Sequence, residues 1–220
     1  MNLDVLVLAL ASAARPAGIA ALYALLSASS LRRLPVAYVA AGFTFSVAVG
    51  VVVVAIFHGA GLDYRGTDVY GAIELLGGLA ALGFAVGVGT GRRELPSRDS
   101  GTHEESTIIR RLHNPTVITA AVAGAVTHIP GLFYIVALNA IIAGGPSLVA
   151  GVLQVVLFNA IWFSASIAAV VIFLLRPGAA RRALARLDNW ARRRARGITV
   201  LVFSLAGSYL AIRGTTALIE

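Results

Sequence analysis

Cysteine and lysine are both absent from this 220-residue sequence, and only 13% of its residues are charged. The lack of cysteine excludes disulfides, thiolate metal sites and dithiol redox chemistry. The lack of lysine excludes a glycine-rich phosphate-binding loop that ends in lysine. No serine stands in a pattern with histidine and aspartate that would indicate a catalytic triad, and the four histidines form no ligand cluster. The sequence therefore predicts no enzyme, no cofactor and no metal site.

Hydrophobic runs are what the sequence has in excess, with 58% hydrophobic residues and a mean hydropathy of +0.86. A soluble domain of this composition would expose large apolar patches and aggregate. Six apolar segments are long enough to cross a bilayer as helices. They are residues 5–29, 35–57, 69–90, 116–142, 148–175 and 198–219. The sequence predicts an all-α polytopic membrane protein with six transmembrane helices.

The arginines are distributed unevenly between the links that join these segments. Fifteen of the eighteen arginines lie in the links after the first, third and fifth segments. Because cytoplasmic loops carry the excess of basic residues, these links are predicted to be cytoplasmic and both termini extracytoplasmic. The net charge of +8 indicates topology and contact with anionic lipid headgroups, and not a nucleic-acid partner.

The two halves of the chain share a pattern. Arg15 and Pro16 interrupt the first apolar segment, and His128 and Pro130 interrupt the fourth. Three spans followed by three spans place the second half upside down relative to the first. We therefore predict a 3+3 inverted repeat, with repeats at 1–90 and 116–220 joined by a mobile cytoplasmic loop at 91–115. A chance proline in each of two long segments is the alternative.

Spaced glycines mark the third and sixth segments, where they would let helices approach closely. These glycines are Gly77, Gly78, Gly83, Gly87, Gly207 and Gly214. The two segments are expected to pack against each other either within one protomer or between the two protomers of a homodimer.

Residues 178–197 have the pattern of an amphipathic helix, with apolar residues on one stripe and arginines around much of the rest. This segment is predicted to lie flat on the cytoplasmic leaflet as an interfacial helix. It would form a collar for lipid headgroups, made by Arg181, Arg182, Arg186, Trp190 and Arg193. A topology anchor without a substrate role is the alternative.

Arg15 is the strongest single candidate for substrate binding. A charge at mid-span is costly and usually faces a bundle interior or an aqueous cavity. Its guanidinium could hold a phosphate, sulfate or carboxylate, and Pro16 would free backbone carbonyls beside it. Glu74, early in the third segment, would pair with Arg15, carry a coupled proton, or extend to the interface. A purely structural role for Arg15 stays open.

The second half offers further polar positions within apolar segments. His128 and Pro130 lie near the middle of the fourth segment, where an imidazole could relay a proton or bond to a neighbouring helix. Asn139 and Asn159 would form interhelical hydrogen bonds or line a polar pathway. We count these four residues with Arg15 and Pro16 as candidate substrate-binding residues.

Several stretches of the chain together resemble one family of transporters. They are Asn114-Pro115 through Ala123-Gly124, Ile129 through Tyr134, Ala137-Leu138, Phe158-Asn159, Arg176-Pro177 and Leu187 through Trp190. With six spans and a proline break in the first and fourth, this pattern resembles the lysine-exporter superfamily. Within it, the chain is most similar to the actinobacterial GAP family of sulfolipid- and peptidoglycolipid-addressing proteins.

This resemblance implies a transporter, flippase or accessory exporter that moves an amphipathic, anionic cell-envelope glycolipid or lipid precursor across a bacterial inner (plasma) membrane. It also implies partners among lipid-synthesis or export proteins, and no enzymatic activity. Superfamily relatives export amino acids or metal cations, but the absent cysteine and sparse carboxylates argue against cation export. Export of an amino-acid-like solute and a non-transport scaffold for a lipid-export complex are the alternatives.

Overall fold

The computed structural model describes residues 3–13, 21–22, 25–26, 32–60, 68–92 and 116–219. All regular structure in these ranges is helical. The helices are α1 (Leu3–Ala13), α2 (Arg33–Gly59), α3 (Asp68–Gly89), α4 (Val117–Thr127), α5 (Leu132–Ala143), α6 (Leu148–Leu175) and α7 (Pro177–Ile219). The two-residue stretches at 21–22 and 25–26 are helical as well.

Four helices in these ranges are long and apolar enough to cross a membrane: α2, α3, α6 and the C-terminal part of α7, Arg193–Ile219. Helices α4 and α5 pass the same test as a bent pair, which raises the number of candidate spans to five. Of the predicted first span, the structure describes α1 and a few helical residues, while Arg15 and Pro16 lie outside the described residues. The chain is therefore a multi-pass helical membrane protein.

The fourth predicted span is broken at its centre. Its first half, α4, begins with a capping box in which Thr116 accepts from the Thr119 backbone N–H and Thr119 accepts from that of Thr116. Pro130 has no N–H to continue the ladder, and Gly131 takes an extended conformation as the N-cap of α5. The two halves consequently meet at an angle of 67°.

Helices α3 and α7 make the most extensive helix pair of the described bundle. A Cβ added at Gly78 would lie 2.5 Å from the Ala211 nitrogen, and one at Gly207 would lie 3.0 Å from the Gly78 carbonyl oxygen. Gly71, which sequence reasoning missed, meets Gly214 one heptad further along. The glycine-lined third and sixth segments therefore pack within one protomer.

Replacing Gly78 by alanine is expected to lower the free energy of unfolding by about 1–3 kcal/mol, because the added methyl group collides with the α7 backbone. Gly83 provides the matched control on the same helix, since nothing lies within 4 Å of a Cβ there. Gly83→Ala should stabilise slightly, by about 0.5–1 kcal/mol, through helix propensity alone. Thermal unfolding in detergent measures both. Equal effects of the two substitutions would contradict the intraprotomer glycine contact.

Helix α7 corrects the predicted boundary between an interfacial helix at 178–197 and a sixth span at 198–219. It runs without interruption through 43 residues, about 65 Å at the usual helical rise. Gly197, the last residue of the predicted interfacial helix, is a regular helical position. Glycine alone costs a helix only about 1 kcal/mol, which is too little to end one of this length. The amphipathic pattern itself is present, because Ala180 and Leu184 are buried while Arg182 and Arg186 are exposed.

The remaining helices of the first half pack against helices of the second half, around the broken span. Helix α2 packs against α4 and α6, and α1 packs against α5 and α6. The core they enclose includes the large buried side chains Tyr38, Tyr134, Phe133, Phe158, Phe163 and Phe173. The α4–α5 break therefore lies within this packed region, in contact with α2 and α6.

Candidate functional site at the broken helix

The break between α4 and α5 leaves helix-end carbonyl groups without their usual partners. The His128 N–H bonds to Ala125 and the Ile129 N–H to Val126, both one residue short of the α-helical pattern. As a result, the carbonyl of Gly124 receives no backbone N–H from His128. Such groups must be satisfied by side chains in a membrane interior, where water is absent.

His128 caps the broken end of α4 with its own side chain. Its Nδ1 lies 2.8 Å from the Gly124 carbonyl oxygen. Because a carbonyl oxygen only accepts, Nδ1 carries the proton of this contact. Thr127 Oγ1 lies 3.2 Å from the same Nδ1 and 2.8 Å from the Tyr38 hydroxyl, which joins α2 to the break. The imidazole is 6% exposed.

A second set of hydrogen bonds joins the other side of the break to α5 and α6. The Ser46 hydroxyl of α2 donates to the His128 carbonyl at 3.1 Å. The Ser46 carbonyl accepts from the Tyr134 hydroxyl at 2.6 Å, and that hydroxyl accepts from Asn159 Nδ2 at 3.2 Å. We call Tyr38, Ser46, His128, Tyr134 and Asn159 the break cluster.

Close backbone approach makes the break cluster possible. A Cβ at Gly124 would lie 2.0 Å from the Tyr38 carbonyl oxygen, so α4 and α2 cross almost in contact there. A Cβ at Gly50 would lie 2.3 Å from the Tyr134 hydroxyl and would exclude it. Larger residues at either position would separate the helices that hold the cluster together.

Aromatic rings enclose the break cluster. The His128 ring stacks on Phe163 with centroids 4.4 Å apart, and Trp162 and Tyr38 meet its other sides at 5.7 and 5.5 Å. Phe158 and Trp162 in turn flank Tyr134 at 5.1 and 5.7 Å. These rings keep water from the hydrogen bonds and present a polarisable face to the imidazole. As far as the described residues show, the site is a patch of hydroxyls, an imidazole and an amide inside an apolar bundle.

An open groove lies beside this site, between the N-terminal part of α2 and the C-terminal part of α6. It has a volume of about 300 Å³. Its lining residues are Val36, Val39, Ala40, Phe43, Thr44, Ile167, Val170 and Val171. Phe43 forms its inner wall and contacts Phe163 at a centroid distance of 5.6 Å, so one aromatic layer separates the groove from His128.

A second polar cluster lies at the end of the bundle where α1 begins and α7 ends. Arg213 donates to the Asp4 carboxylate, and Tyr209 donates to the other oxygen of that carboxylate. The Nε of Arg213 lies 3.9 Å from Glu74 Oε2. Asp4 and Glu74 are 5% and 0% exposed, whereas the Arg213 side chain is 39% exposed. One arginine therefore ties α7 to both α1 and α3.

A comparison with protein families identifies one family that covers nearly the whole chain. A model of the family described as Sap, sulfolipid-1-addressing protein, matches residues 5–216, which is nearly the whole chain. The chain belongs to the sulfolipid-1-addressing protein family. No curated protein and no solved structure matches it. Membership in the Sap family confirms the resemblance predicted from the sequence, and with the helical architecture it indicates a membrane protein tied to lipid export.

Some of the residues predicted to bind substrate in this Sap-family chain lie together at the break, and others do not. His128, Pro130 and Asn159 lie at or beside the break. Asn139 does not join the break cluster. It is buried two turns into α5, and its amide nitrogen has no hydrogen-bond partner among the described residues. Glu74 is fully buried. Its predicted contact with Arg15 involves a residue outside the described ranges, so the predicted roles of Glu74 stay predictions.

The predicted headgroup collar of the family member is only partly described. Arg182, Arg186 and Arg193 are exposed, and so is Trp190 at 49%. The ring of Trp190 lies 5.9 Å from the Arg194 guanidinium carbon, a cation–π distance. The side chain of Arg181 lies outside the described residues. Headgroup binding by these residues stays a prediction.

Sequence reasoning missed Tyr38, Ser46 and Tyr134 in the break cluster, and Asp4 and Tyr209 in the Arg213 cluster. Single hydroxyls in apolar helices are common, so the sequence alone gives no reason to select these. Asp4 was the one residue that the sequence could have indicated, because it is an acidic residue at the start of an apolar segment. Among the described residues, no three histidine, aspartate or glutamate side chains group as a metal site.

Proposed function

We propose that this Sap-family protein moves an amphipathic, anionic envelope lipid or lipid precursor across the bacterial inner membrane. The observation that carries the proposal is the buried break cluster at the centre of a bent span. Polar groups within the hydrocarbon region are costly and are retained where a polar part of a substrate or ion must pass. The hydroxyls, imidazole and amide of the break cluster would exchange hydrogen bonds with a passing headgroup.

The groove between α2 and α6 supports a lipid over a small solute. A water-soluble substrate needs an enclosed aqueous path, whereas a lipid must enter sideways from the bilayer with its chains still in an apolar environment. The groove is apolar, opens at the side of the bundle and reaches the aromatic wall of the break cluster. An amino-acid-like solute is the less favoured substrate for this reason.

We further propose six spans arranged as a 3+3 inverted repeat with both termini outside. The packing pattern supports it, because α2 packs on α4 while α6 packs on α1, and these pairs are equivalent if the two halves are related by a twofold axis. The α3–α7 pair would then lie on that axis. In this arrangement Arg15 faces His128 from the first half and binds the headgroup, while Glu74 balances charge or carries a proton.

A lipid-translocation assay tests the proposal. Proteoliposomes carrying fluorescent phosphatidylglycerol should expose inner-leaflet label to an external quencher faster than protein-free vesicles. Arg15→Ala should abolish this acceleration and the retention of a co-purified anionic lipid, measured by mass spectrometry. Arg65→Ala, in a predicted short loop on the other face, is the matched control and should change neither.

Three results would go against the proposal. If the wild-type protein translocated the labelled lipid no faster than protein-free vesicles, the chain alone would not translocate lipid. Amino-acid efflux from the same vesicles would favour the small-solute exporter. The scaffold would be favoured if the Arg15→Ala variant translocated and retained lipid as the wild type does and still bound a partner protein.

A further inference from the structure

The groove between α2 and α6 has one charged end. We infer that it holds an acyl chain of an anionic membrane lipid whose headgroup lies at Arg32, Arg33 and Arg176, as the loading position for translocation. This inference rests on the proposed function. It specifies the site that the lipid occupies before translocation, the headgroup as the part that is recognised there, and the side of the bundle from which the lipid enters.

The walls of the groove suit a hydrocarbon chain. Seven of the eight lining residues are apolar, and Thr44 is the one polar residue among them. None of the eight is charged. A volume of about 300 Å³ is at the small end of ligand sites, which suits one chain and excludes a bulky polar group.

The charged end follows from the direction of the two helices. The groove is lined by the first turns of α2 and the last turns of α6, so the N-terminus of α2 and the C-terminus of α6 lie at the same end of it. Arg32 and Arg33 stand at the start of α2, and Arg176 follows the last residue of α6. All three are exposed, and none is ion-paired with a described carboxylate. Three exposed guanidinium groups without a described acidic partner, above an apolar groove, are complementary to an anionic headgroup above its chain.

The inner wall connects the groove to the break cluster. Thr44 lies about 12 Å further along α2 than Val36, so the groove extends from the arginine end toward mid-span. Phe43 touches Phe163, which stacks on His128. A chain in the groove would therefore lie against the aromatic pair that covers the polar site, and movement of that pair would open the path between them.

A second copy of the chain fits this groove less well. In a dimer with a twofold axis along the membrane normal, the groove of one copy would face that of the other. Arg32, Arg33 and Arg176 of both copies would then lie close together without described acidic partners. Like charges in a low-dielectric surrounding repel, so this arrangement disfavours a dimer through the groove.

Photo-crosslinking in nanodiscs tests the inference with defined probes. Phosphatidylglycerol carrying a diazirine in one acyl chain is compared with phosphatidylcholine carrying the same chain, and the labelled peptides are identified by mass spectrometry. We expect adducts within 36–44 and 167–171 to exceed those at the lipid-facing Val52, which is 56% exposed on α2. The excess should occur with phosphatidylglycerol and fall roughly fivefold in Arg33→Gln, from the usual contribution of one arginine near an anionic lipid.

Two tryptophan variants on the same helix provide the matched pair. Ala40→Trp would fill the groove and should remove the excess labelling, whereas Val52→Trp should leave it unchanged. The comparison of the two lipids on the unmodified protein does not depend on how either variant folds. Equal labelling of groove and Val52, equal labelling by both lipids, or protein–protein crosslinks through 36–44 would each overturn the inference.

The translocation assay separates this inference from the proposed function. If groove labelling fails while phosphatidylglycerol still crosses the membrane and depends on Arg15, the loading position is wrong and transport stands. If the groove is labelled as expected but no lipid crosses, the groove is a lipid-binding site without a transport role.

Discussion

Arg213→Gln is expected to destabilise the protein by about 3 kcal/mol, because it leaves the buried carboxylates of Asp4 and Glu74 without their shared cation. Breaking a buried ion pair costs about 3–5 kcal/mol, and the 39% exposure of the Arg213 side chain places the effect at the lower end. Reversible unfolding in mixed micelles, followed by the fluorescence of Trp162 and Trp190, measures the loss. The helices that should separate first are α1 and α7.

The cost should depend on which partner is removed. Glu74→Gln keeps the contact between Arg213 and Asp4 and removes one negative charge, so it should cost much less than Arg213→Gln. Combining Arg213→Gln with Asp4→Asn should recover part of the stability, since a neutral amide then replaces the buried carboxylate that has lost its cation. Arg186→Gln on the same helix is exposed and should stay within about 0.5 kcal/mol of wild type. An Arg213 variant as stable as the Arg186 variant would contradict a structural ion pair.

His128→Ala is expected to slow lipid translocation by roughly 5- to 150-fold, the rate equivalent of about 1–3 kcal/mol in the barrier. It removes the 2.8 Å contact with the Gly124 carbonyl, which leaves the longer Thr127 hydroxyl contact at 3.3 Å, and it removes the ring that stacks on Phe163. Stability should fall as well, by about 1–3 kcal/mol. Both quantities are measured on the same preparation, by the vesicle assay and by unfolding in detergent.

His128→Asn separates capping from the role of the ring. An asparagine amide can donate to the Gly124 carbonyl from nearly the position of Nδ1, but it neither titrates near neutral pH nor stacks as an aromatic ring. If stability recovers while translocation stays slow, the imidazole takes part in transport. Full recovery of both would make His128 a helix cap only. His58→Ala, at an exposed position near the end of α2, is the control and should change neither quantity.

Much of the architecture was accessible from sequence patterns, and its errors have physical causes. Four of the predicted spans correspond to unbroken helices, and the fourth bends where Pro130 removes a donor. The interfacial helix was predicted to end at Gly197 because composition changes there from arginine-rich to apolar. Composition reports the surroundings of a helix and not its continuity, and α7 continues through the change.

The candidate site was predicted less completely than the fold. His128 and Asn159 stood out as polar residues in apolar segments, but their connection runs through Ser46 and Tyr134. Those two residues are separated by 88 positions, and one contributes a backbone carbonyl that every residue possesses. No local pattern can select such a pair. Asn139, which looked equivalent to Asn159 in the sequence, lies outside the network.

The sequence by itself determined the membrane environment, most of the helices and the family of this protein, because hydropathy and proline act locally or through overall composition. The tertiary structure alone decided which polar groups meet. Gly124 let α4 touch α2, and Arg213 came to face Asp4 from 209 residues away. Those contacts depend on how helices cross in space, and the close crossings depend on glycines whose effect is visible only when the opposing backbone is in place.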